Sequence, residues 1–275
     1  QRMNQSQGFK PKNNIGITVS IQKCKNCNLI YSNPQPIPFD IQDHYGTPPE
    51  EYWKSEYFTW TKDYFSSQIN EVKPLLDFKK GMTALDIGAG LGKAMLSLED
   101  SGFNAFGLEP SIPFHERAIN KMKINPDKLK LGAIEELNYE NNSFDFITFG
   151  AVFEHLYAPS KCLEKAMKWL KPNGIIHIEV PSSNWLIPKF MNYYFKLRGT
   201  NYVTNLSPMH TPFHLHEFGI KSFIELSKQL NFSIARKRIE VCSIYHVPKF
   251  LHPILKWYMK KTDKGMQLTV YLRKN

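Results

Sequence analysis

The stretch with the clearest chemical potential is Thr83–Gly92, TALDIGAGLG. A short apolar run, Ala84–Ile87, contains Asp86 near its end, and glycines follow at positions 88, 90 and 92. This pattern predicts a buried strand, a loop and then a helix that begins at Lys93. Because glycine has no Cβ, the backbone N–H groups of such a loop can approach a ligand closely. The stretch therefore predicts a ligand-binding loop at the end of a strand.

Two well-known nucleotide-binding motifs do not fit this loop. The dinucleotide fingerprint GxGxxG needs a glycine where the chain has Lys93, and no GKS or GKT follows as a P-loop requires. Glu109 ends the next predicted strand, where a carboxylate can accept hydrogen bonds from two ribose hydroxyls. Asp86 suits a ligand with an ammonium or sulfonium group and suits a pyrophosphate poorly.

Histidines are the candidate proton acceptors, since imidazole titrates near neutral pH. His155 follows the predicted fourth strand at the carboxyl edge, where ligands bind in open α/β sheets, and a structural role capping the next helix is an equal alternative. His210, His214 and His216 cluster in MHTPFHLHEF. We expect one of them to contact substrate, with a metal site as the runner-up. His177 lies inside a predicted strand and is expected in the core.

The four cysteines carry a weaker signal. Cys24 and Cys27 form a CxxC on a predicted turn, and two thiolates at that spacing can be half of a zinc ribbon. Cys162 and Cys242 fall in other predicted elements, so free thiols are favoured and zinc is the alternative. Cys162 lies in a predicted helix away from any base, which argues against a cysteine nucleophile. Few cysteines in 275 residues fit a reducing, cytoplasmic location.

Strand and helix patterns alternate through most of the chain. The predicted strands are Ala84–Ile87, Ala105–Leu108, Leu129–Leu131, Phe144–Phe149, Ile175–Val180, Phe232–Val241 and Met266–Arg273. The predicted helices between them are Lys93–Asp100, Pro113–Lys123, Ser160–Leu170 and Ile220–Leu230, after a first helix at Ser66–Phe78. Such alternation predicts an α/β domain with a parallel sheet and helices on both faces.

The flanking segments differ in composition from this domain. Residues 1–65 are predicted to be an N-terminal extension that holds the CxxC and an aromatic, helical lid, Tyr45–Phe65. Residues 66–275 form the main domain, with a cap insertion at about 181–217. Lys249–Lys261 is basic and aromatic; a core helix is favoured there, and contact with an anionic membrane is the alternative.

Four motifs in order carry a family resemblance: LDIGAGLG, GLEPS (Gly107–Ser111), SFDFITFGAVFEHL (Ser143–Leu156) and LKPNGIIHIEVPS (Leu170–Ser182). Together they resemble the class I S-adenosylmethionine-dependent methyltransferases. The resemblance implies a Rossmann-like, seven-stranded, mostly parallel sheet whose last strand is antiparallel. The CxxC segment and HTPFHLHEF resemble a subgroup that modifies small molecules, including deoxysugars on nucleotide carriers, surface-polysaccharide units and secondary metabolites.

The resemblance also implies roles for individual residues. The implied residues for S-adenosylmethionine are Asp86, Gly88, Ala89, Gly90, Glu109, Pro110, Ile134, Gly150 and Ala151. The glycine loop would pass under the methionine part, with Asp86 near its ammonium. Glu109 would hold the ribose, Ile134 would pack against the adenine, and Gly150 and Ala151 would lie beside the sulfonium.

Three departures from the family pattern limit these assignments. Ala133 stands where relatives often place an adenine-binding Asp. Ala151 stands where ubiquinone-type enzymes carry a metal-binding Glu, so Glu154 and His155 are not expected to hold Mg²⁺, and no metal is predicted. Only one of the two CxxC pairs found in sugar C-methyltransferases is present.

These observations predict a methyltransferase acting on an O or C atom of a small molecule, with a sugar-like acceptor favoured and His155, His210 and His214 as catalytic candidates. The net charge of +10 raises the alternative of a nucleic-acid methyltransferase. The lysines are spread along the chain and Gly150-Ala-Val-Phe replaces the Asp/Asn-Pro-Pro-Tyr run of base-amino methyltransferases, so nucleic acid is not the expected partner. A cofactor-binding relative without catalysis is the third alternative.

Overall fold

The computed structural model describes residues 20–37, 40–46, 48–51, 55–200, 202–203, 206–209, 214–241, 244 and 247–275. The helices are α1 (Ile41–Tyr45), α2 (Ser66–Leu76), α3 (Lys93–Asp100), α4 (Ile112–Asn120), α5 (Pro159–Trp169), α6 (Leu186–Leu197), α7 (Ile220–Leu230) and α8 (His252–Lys261). The strands are β1 (Ser20–Lys23), β2 (Ile30–Asn33), β3 (Thr83–Ile87), β4 (Asn104–Glu109), β5 (Leu129–Leu131), β6 (Phe144–Gly150), β7 (Leu170–Pro181), β8 (His216–Glu217), β9 (Phe232–Glu240) and β10 (Gln267–Lys274).

The main sheet has seven strands in the order β5-β4-β3-β6-β7-β10-β9. The first five of these pair in parallel, and β10 pairs antiparallel with both β7 and β9. The predicted Rossmann-like sheet with an antiparallel last strand is confirmed. Strand order reverses between β3 and β6, and ligands bind at such a reversal, outside the carboxyl ends of the strands.

Both faces of this sheet are buried, which explains why its strands read as continuous apolar runs. Successive strand residues point to opposite faces, so Ala84 belongs to one apolar cluster while Leu85 and Ile87 belong to the larger one. In β4, Ala105 belongs to the smaller cluster and Leu108 to the larger one. A sheet fixed from both sides can hold the loops at its carboxyl edge in place.

A second, three-stranded sheet in the order β1-β2-β8 joins the two segments predicted as extension and cap. β1 and β2 pair antiparallel around the turn that holds the CxxC, as the sequence predicts, and β2 pairs antiparallel with β8 of the later segment. A bridge between Ser182 and Phe218 ties the end of β7 to the residue that follows β8. The division of the chain into extension, main domain and cap stays a prediction.

Some element boundaries differ from the prediction. The aromatic segment is not one helix: α1 is followed by short 3-10 turns at Pro49–Glu51 and Ser55–Phe58. The adjacent prolines at positions 48 and 49 lack backbone N–H groups and disfavour a continuous helix. The helix predicted to end at Lys123 ends at Asn120, and Lys123 takes a left-handed conformation with φ of 61°.

The helix predicted in Lys249–Lys261 is present as α8, but the expectation that it belongs to the core is wrong. Only Met259 of α8 is buried, in a small cluster beside Trp185, Leu186 and Ile187. Trp257 is 62% exposed and Ile254 is 63% exposed. None of the described helices combines the length and the apolar character needed to cross a membrane.

Candidate active site

Three closely spaced glycines shape the loop between β3 and α3. All three have positive φ: 69° at Gly88, 56° at Gly90 and 77° at Gly92. A Cβ at Gly88 would lie 2.6 Å from Cγ2 of Val152, and one at Gly92 would lie 2.6 Å from Cγ1 of Ile124. The spacing therefore reflects both backbone conformation and close packing under the loop.

Glu109, at the end of β4, binds this loop directly. Its Oε2 accepts the N–H of Gly90 at 2.6 Å, and its Oε1 accepts the N–H of Ser111 at 2.8 Å. Burial raises the pKa of Glu109 to about 7, although these two hydrogen bonds act in the opposite direction. Each carboxylate oxygen keeps a second lone pair that can accept another hydrogen bond. The arrangement fits a carboxylate that receives two hydroxyl groups of a ligand.

Asp86 is a second buried carboxyl group at the same edge. It is 5% exposed, and it forms no ion pair with a lysine or arginine of the described residues. Burial, with a smaller contribution from Glu109, raises its pKa to about 8. A buried acid pair without a counter-charge favours a cationic ligand, because a nearby positive charge stabilises the ionised form.

Aromatic rings of the N-terminal segment contact the first turns of α3, directly after the glycine loop. Lys93, 8% exposed, has its Nζ 4.4 Å from the ring centre of Tyr57 and 5.0 Å from that of Tyr64. Trp60 donates its Nε1–H to Oγ of Ser97 at 2.8 Å. Burial raises the pKa of Tyr57, and the charge of Glu109 adds to that shift.

Helix α1 contacts the next loop of the same edge. The side-chain amide of Gln42 donates to the carbonyl oxygen of Pro110 at 2.8 Å, and its oxygen accepts the N–H of Ile112 at 3.2 Å. The nitrogen and the oxygen of the Gln42 side-chain amide thus both bind the β4–α4 loop. No sequence motif marks Gln42, since the contact depends on how the N-terminal segment folds back.

The carboxyl end of β6 is open. Gly150 is exposed, and no atom lies within 4 Å of the position that its Cβ would take. Ala151 is exposed with φ of 54°, and its N–H donates to the carbonyl oxygen of Glu179 at 3.1 Å. Ile134 is 1% exposed and belongs to the larger apolar cluster. Its contact with adenine stays a prediction.

Two of the three catalytic candidates come together. The rings of His155 and His214 are 4.6 Å apart between centroids and nearly perpendicular, at 80°. Nδ1 of His214 lies 2.7 Å from Oγ of Ser207, which fixes the ring orientation. A backbone hydrogen bond from Leu215 N–H to the Glu154 carbonyl, at 2.9 Å, aligns the two segments. His210 lies outside the described residues.

Glu154 joins these two histidines. Potential ligand atoms of Glu154, His155 and His214 lie within 4.8 Å of one another. In the part of the chain that the structure describes, this is the single group of three side chains that could hold a metal ion. Burial raises the pKa of Glu154 to about 8. The sequence could not predict this group, because the contact with His214 depends on the pairing of β8 with β2.

The remaining candidates lie apart from this group. His177 is fully buried with Nδ1 2.8 Å from Oγ1 of Thr148, as expected for a core residue. His216 is 4% exposed, with Nε2 3.3 Å from the side-chain nitrogen of Gln35. Cys24 and Cys27 share no third metal-ligand side chain among the described residues, which do not include Cys242.

Comparison with known proteins gives consistent matches. Residues 60–237 match a family model described as a methyltransferase domain. Ubiquinone biosynthesis O-methyltransferase of Bradyrhizobium diazoefficiens is 27% identical over 137 residues, covering 48% of this chain and 50% of that protein. The tRNA U34 carboxymethyltransferase of Campylobacter jejuni is 25% identical over 194 residues, covering 68% of this chain and 65% of that protein.

A solved structure shares the fold at lower identity. The SAM-dependent methyltransferase from Methanosarcina mazei superposes with a TM-score of 0.52 at 18% identity, covering 72% of this chain and 94% of that chain. The chain spans between about a quarter and two thirds of the length of the curated relatives it matches.

Proposed function

Because the chain belongs to the S-adenosylmethionine-dependent methyltransferase family, whose domain model matches more than half of its length, we propose that it transfers a methyl group to an O or C atom of a small molecule. The observation that carries this proposal is the pair of buried carboxyl groups, Asp86 and Glu109, around a glycine loop at the point where strand order reverses.

These residues fit the methyl donor. Glu109 would accept the ribose hydroxyls through the lone pairs that Gly90 and Ser111 leave available. Asp86 has no cationic partner among the described side chains and would face the ammonium of the methionine part. When bound, S-adenosylmethionine supplies an electrophilic methyl group on a sulfonium. The open space beside Gly150 leaves room for that centre.

The histidine pair supports a role in proton removal. A hydroxyl or carbon acceptor must lose a proton, and a positioned base contributes roughly 10²–10⁴-fold. We assign this base to His155, which ends the 3-10 turn Phe153–His155 after β6. His214, oriented by Ser207, is assigned as its positioning partner, and His210 stays a predicted substrate contact.

A polar, sugar-like acceptor is the finer proposal. It is supported by the polar side chains of Glu154, His155, His214 and Ser207 beside the open end of β6. The relatives carry names that refer to phosphoethanolamine, ubiquinone, menaquinone and tRNA, so the acceptor has to be identified by testing several classes.

Transfer of a labelled methyl group to a panel of nucleotide-linked deoxysugars, quinols and amines tests the proposal. We expect His155→Ala to lower kcat by about 10²-fold or more while the affinity for S-adenosylhomocysteine stays within about two-fold of wild type. The matched control is His252→Ala, at the start of α8, whose Nε2 lies 3.0 Å from the Val247 carbonyl oxygen. Equal activity of the His155→Ala and His252→Ala variants would contradict the role of His155 as the base. Cofactor binding without transfer to any acceptor would favour the non-catalytic alternative.

A chelator distinguishes the role of His155 as the base from a metal site that the same residues could form. With His155 as the base, we expect EDTA to leave kcat unchanged. Loss of activity with EDTA, restored by a divalent cation, would instead assign Glu154, His155 and His214 as ligands.

A nucleic-acid acceptor is the second candidate, because the tRNA-modifying relative aligns with 68% of this chain and the net charge is +10. Binding to tRNA that falls steeply with salt, together with methyl transfer to it, would support this candidate over a small molecule.

A further inference from the structure

The start of helix α6 contacts the end of helix α8 and the loop that follows it. The N–H of Leu186 at the start of α6 donates to the carbonyl oxygen of Lys264 at 3.1 Å, just beyond α8. The side-chain amide of Asn184 donates to the carbonyl oxygen of Asp263 at 2.8 Å. Met259 packs with Leu186 in the small cluster between the helices. The start of α6 therefore lies next to the end of α8 and the residues that follow it.

The two helices and the 3-10 turn Lys249–Leu251 before α8, here together called the α6–α8 face, expose several large apolar side chains. They are Phe190 (60% exposed), Tyr193 (62%), Tyr194 (51%), Leu197 (70%), Phe250 (79%), Ile254 (63%) and Trp257 (62%). Isolated exposed apolar residues are normal, whereas a group on two neighbouring helices marks an interaction surface. Tyr193, Tyr194 and Trp257 are of the two aromatic types favoured at membrane–water interfaces.

The same two segments are strongly basic. Residues 186–199 and 249–261 contain no Asp or Glu, and their basic residues are Lys189, Lys196, Arg198, Lys249, Lys256, Lys260 and Lys261. An isologous contact with a second copy would bring these like charges together, which disfavours a dimer through this face. An anionic partner would instead be attracted by each of these basic residues.

A cavity of about 250 Å³ adjoins the face, since its lining includes Lys189 of α6 and Asp263, which follows α8. Lys23, Lys221 and Lys237 also line it, so four lysines surround one aspartate, and Lys237 pairs with that aspartate. Ser183, which is 8% exposed, also lines the cavity. This volume far exceeds the ~15 Å³ that one water needs and leaves room for a phosphate group.

We propose that the α6–α8 face docks on the surface of an anionic phospholipid bilayer. The exposed aromatic and aliphatic side chains enter the headgroup region, while the lysines and Arg198 contact lipid phosphates. The contact is peripheral, because no described helix is suited to span the bilayer. This inference is independent of the methyl transfer proposed above.

Vesicle flotation tests the proposal with the full chain. We expect co-flotation with vesicles of phosphatidylcholine and phosphatidylglycerol, and little with phosphatidylcholine alone. Replacing two exposed apolar residues, Ile254→Ser with Trp257→Ser, should weaken partitioning by about ten-fold or more. The matched apolar control is Leu131→Ser with Ile224→Ser, since both residues are exposed but lie outside the face.

A charge variant tests the electrostatic part. Lys256→Gln with Lys260→Gln should weaken binding to anionic vesicles by about ten-fold, whereas the control pair Lys79→Gln and Lys161→Gln should bind as wild type. Affinity for S-adenosylhomocysteine, measured on every variant, verifies that each one is folded. Absence of flotation, or equal flotation of face and control variants, would overturn the proposal. Self-association abolished by the Ile254/Trp257 variant, without flotation, would assign the face to a second copy.

Discussion

Three buried carboxyl groups set the pH behaviour of the candidate site: Asp86, Glu109 and Glu154. Burial raises their pKa values to about 8, 7 and 8, respectively. The folded state therefore keeps protons that the unfolded chain has already released. Their contribution to the free energy of unfolding is fully present below the ordinary carboxyl pKa and is lost as pH rises through these raised values.

Glu154→Gln isolates one of these groups. The amide keeps the shape of the side chain but cannot ionise. As pH rises from 5 to 8.5, the free energy of unfolding of the variant should therefore increase by about 1–3 kcal/mol relative to that of wild type. Urea unfolding at both pH values measures this difference. The matched control is Glu136→Gln, an exposed residue that should show no such change. A gain at pH 5 as large as that at pH 8.5 would show that ionisation of Glu154 is not the cause.

The glycine loop is the element that depends most on backbone geometry. Gly92→Ala should lower the free energy of unfolding by about 2–4 kcal/mol, because alanine is strained at this positive φ and its Cβ would overlap Ile124. Gly150→Ala is the matched control: space is open there, so its stability should stay within about 0.5 kcal/mol of wild type. Equal losses in the two variants would contradict this account of the loop.

The local elements around the glycine loop could be predicted from the sequence. Strand β3, its glycine loop and Glu109 are adjacent or close in sequence, and apolar runs, glycine spacing and a terminal acid are local signals. The structure confirms their arrangement, with Glu109 bound to the loop through the N–H of Gly90. Helix α7, predicted at Ile220–Leu230, has those bounds in the structure.

The long-range parts could not be predicted in this way. His214 reaches His155 only because β8 pairs with β2 and Leu215 binds the backbone of Glu154. The exposure of α8 was missed for a similar reason. A run of apolar residues indicates that a segment can be buried, but which neighbours cover it depends on the packing of the whole chain. In α8, Met259 is the residue that becomes buried.

At the scale of the whole molecule, the two segments that flank the main sheet act as one structural unit. Strands β1 and β2 come from the N-terminal segment and β8 comes from the segment after β7, and together they form the second sheet. Tyr57 of the first segment contacts Lys93 at the start of α3, while His214 from the second contacts His155 in the turn after β6. The cofactor half and the acceptor half of the proposed site are therefore linked through this sheet.

Calorimetric titration with S-adenosylhomocysteine tests the central claim, that this edge of the sheet binds a methyl donor through Glu109. We expect saturable 1:1 binding to wild type at about 1–100 μM, within the usual range for enzyme ligands. Glu109→Gln should bind about 10–100-fold more weakly, since it loses charged acceptors for the ribose hydroxyls, while Glu136→Gln should bind as wild type. No binding to wild type at about 1 mM, or equal binding by Glu109→Gln, would contradict the account.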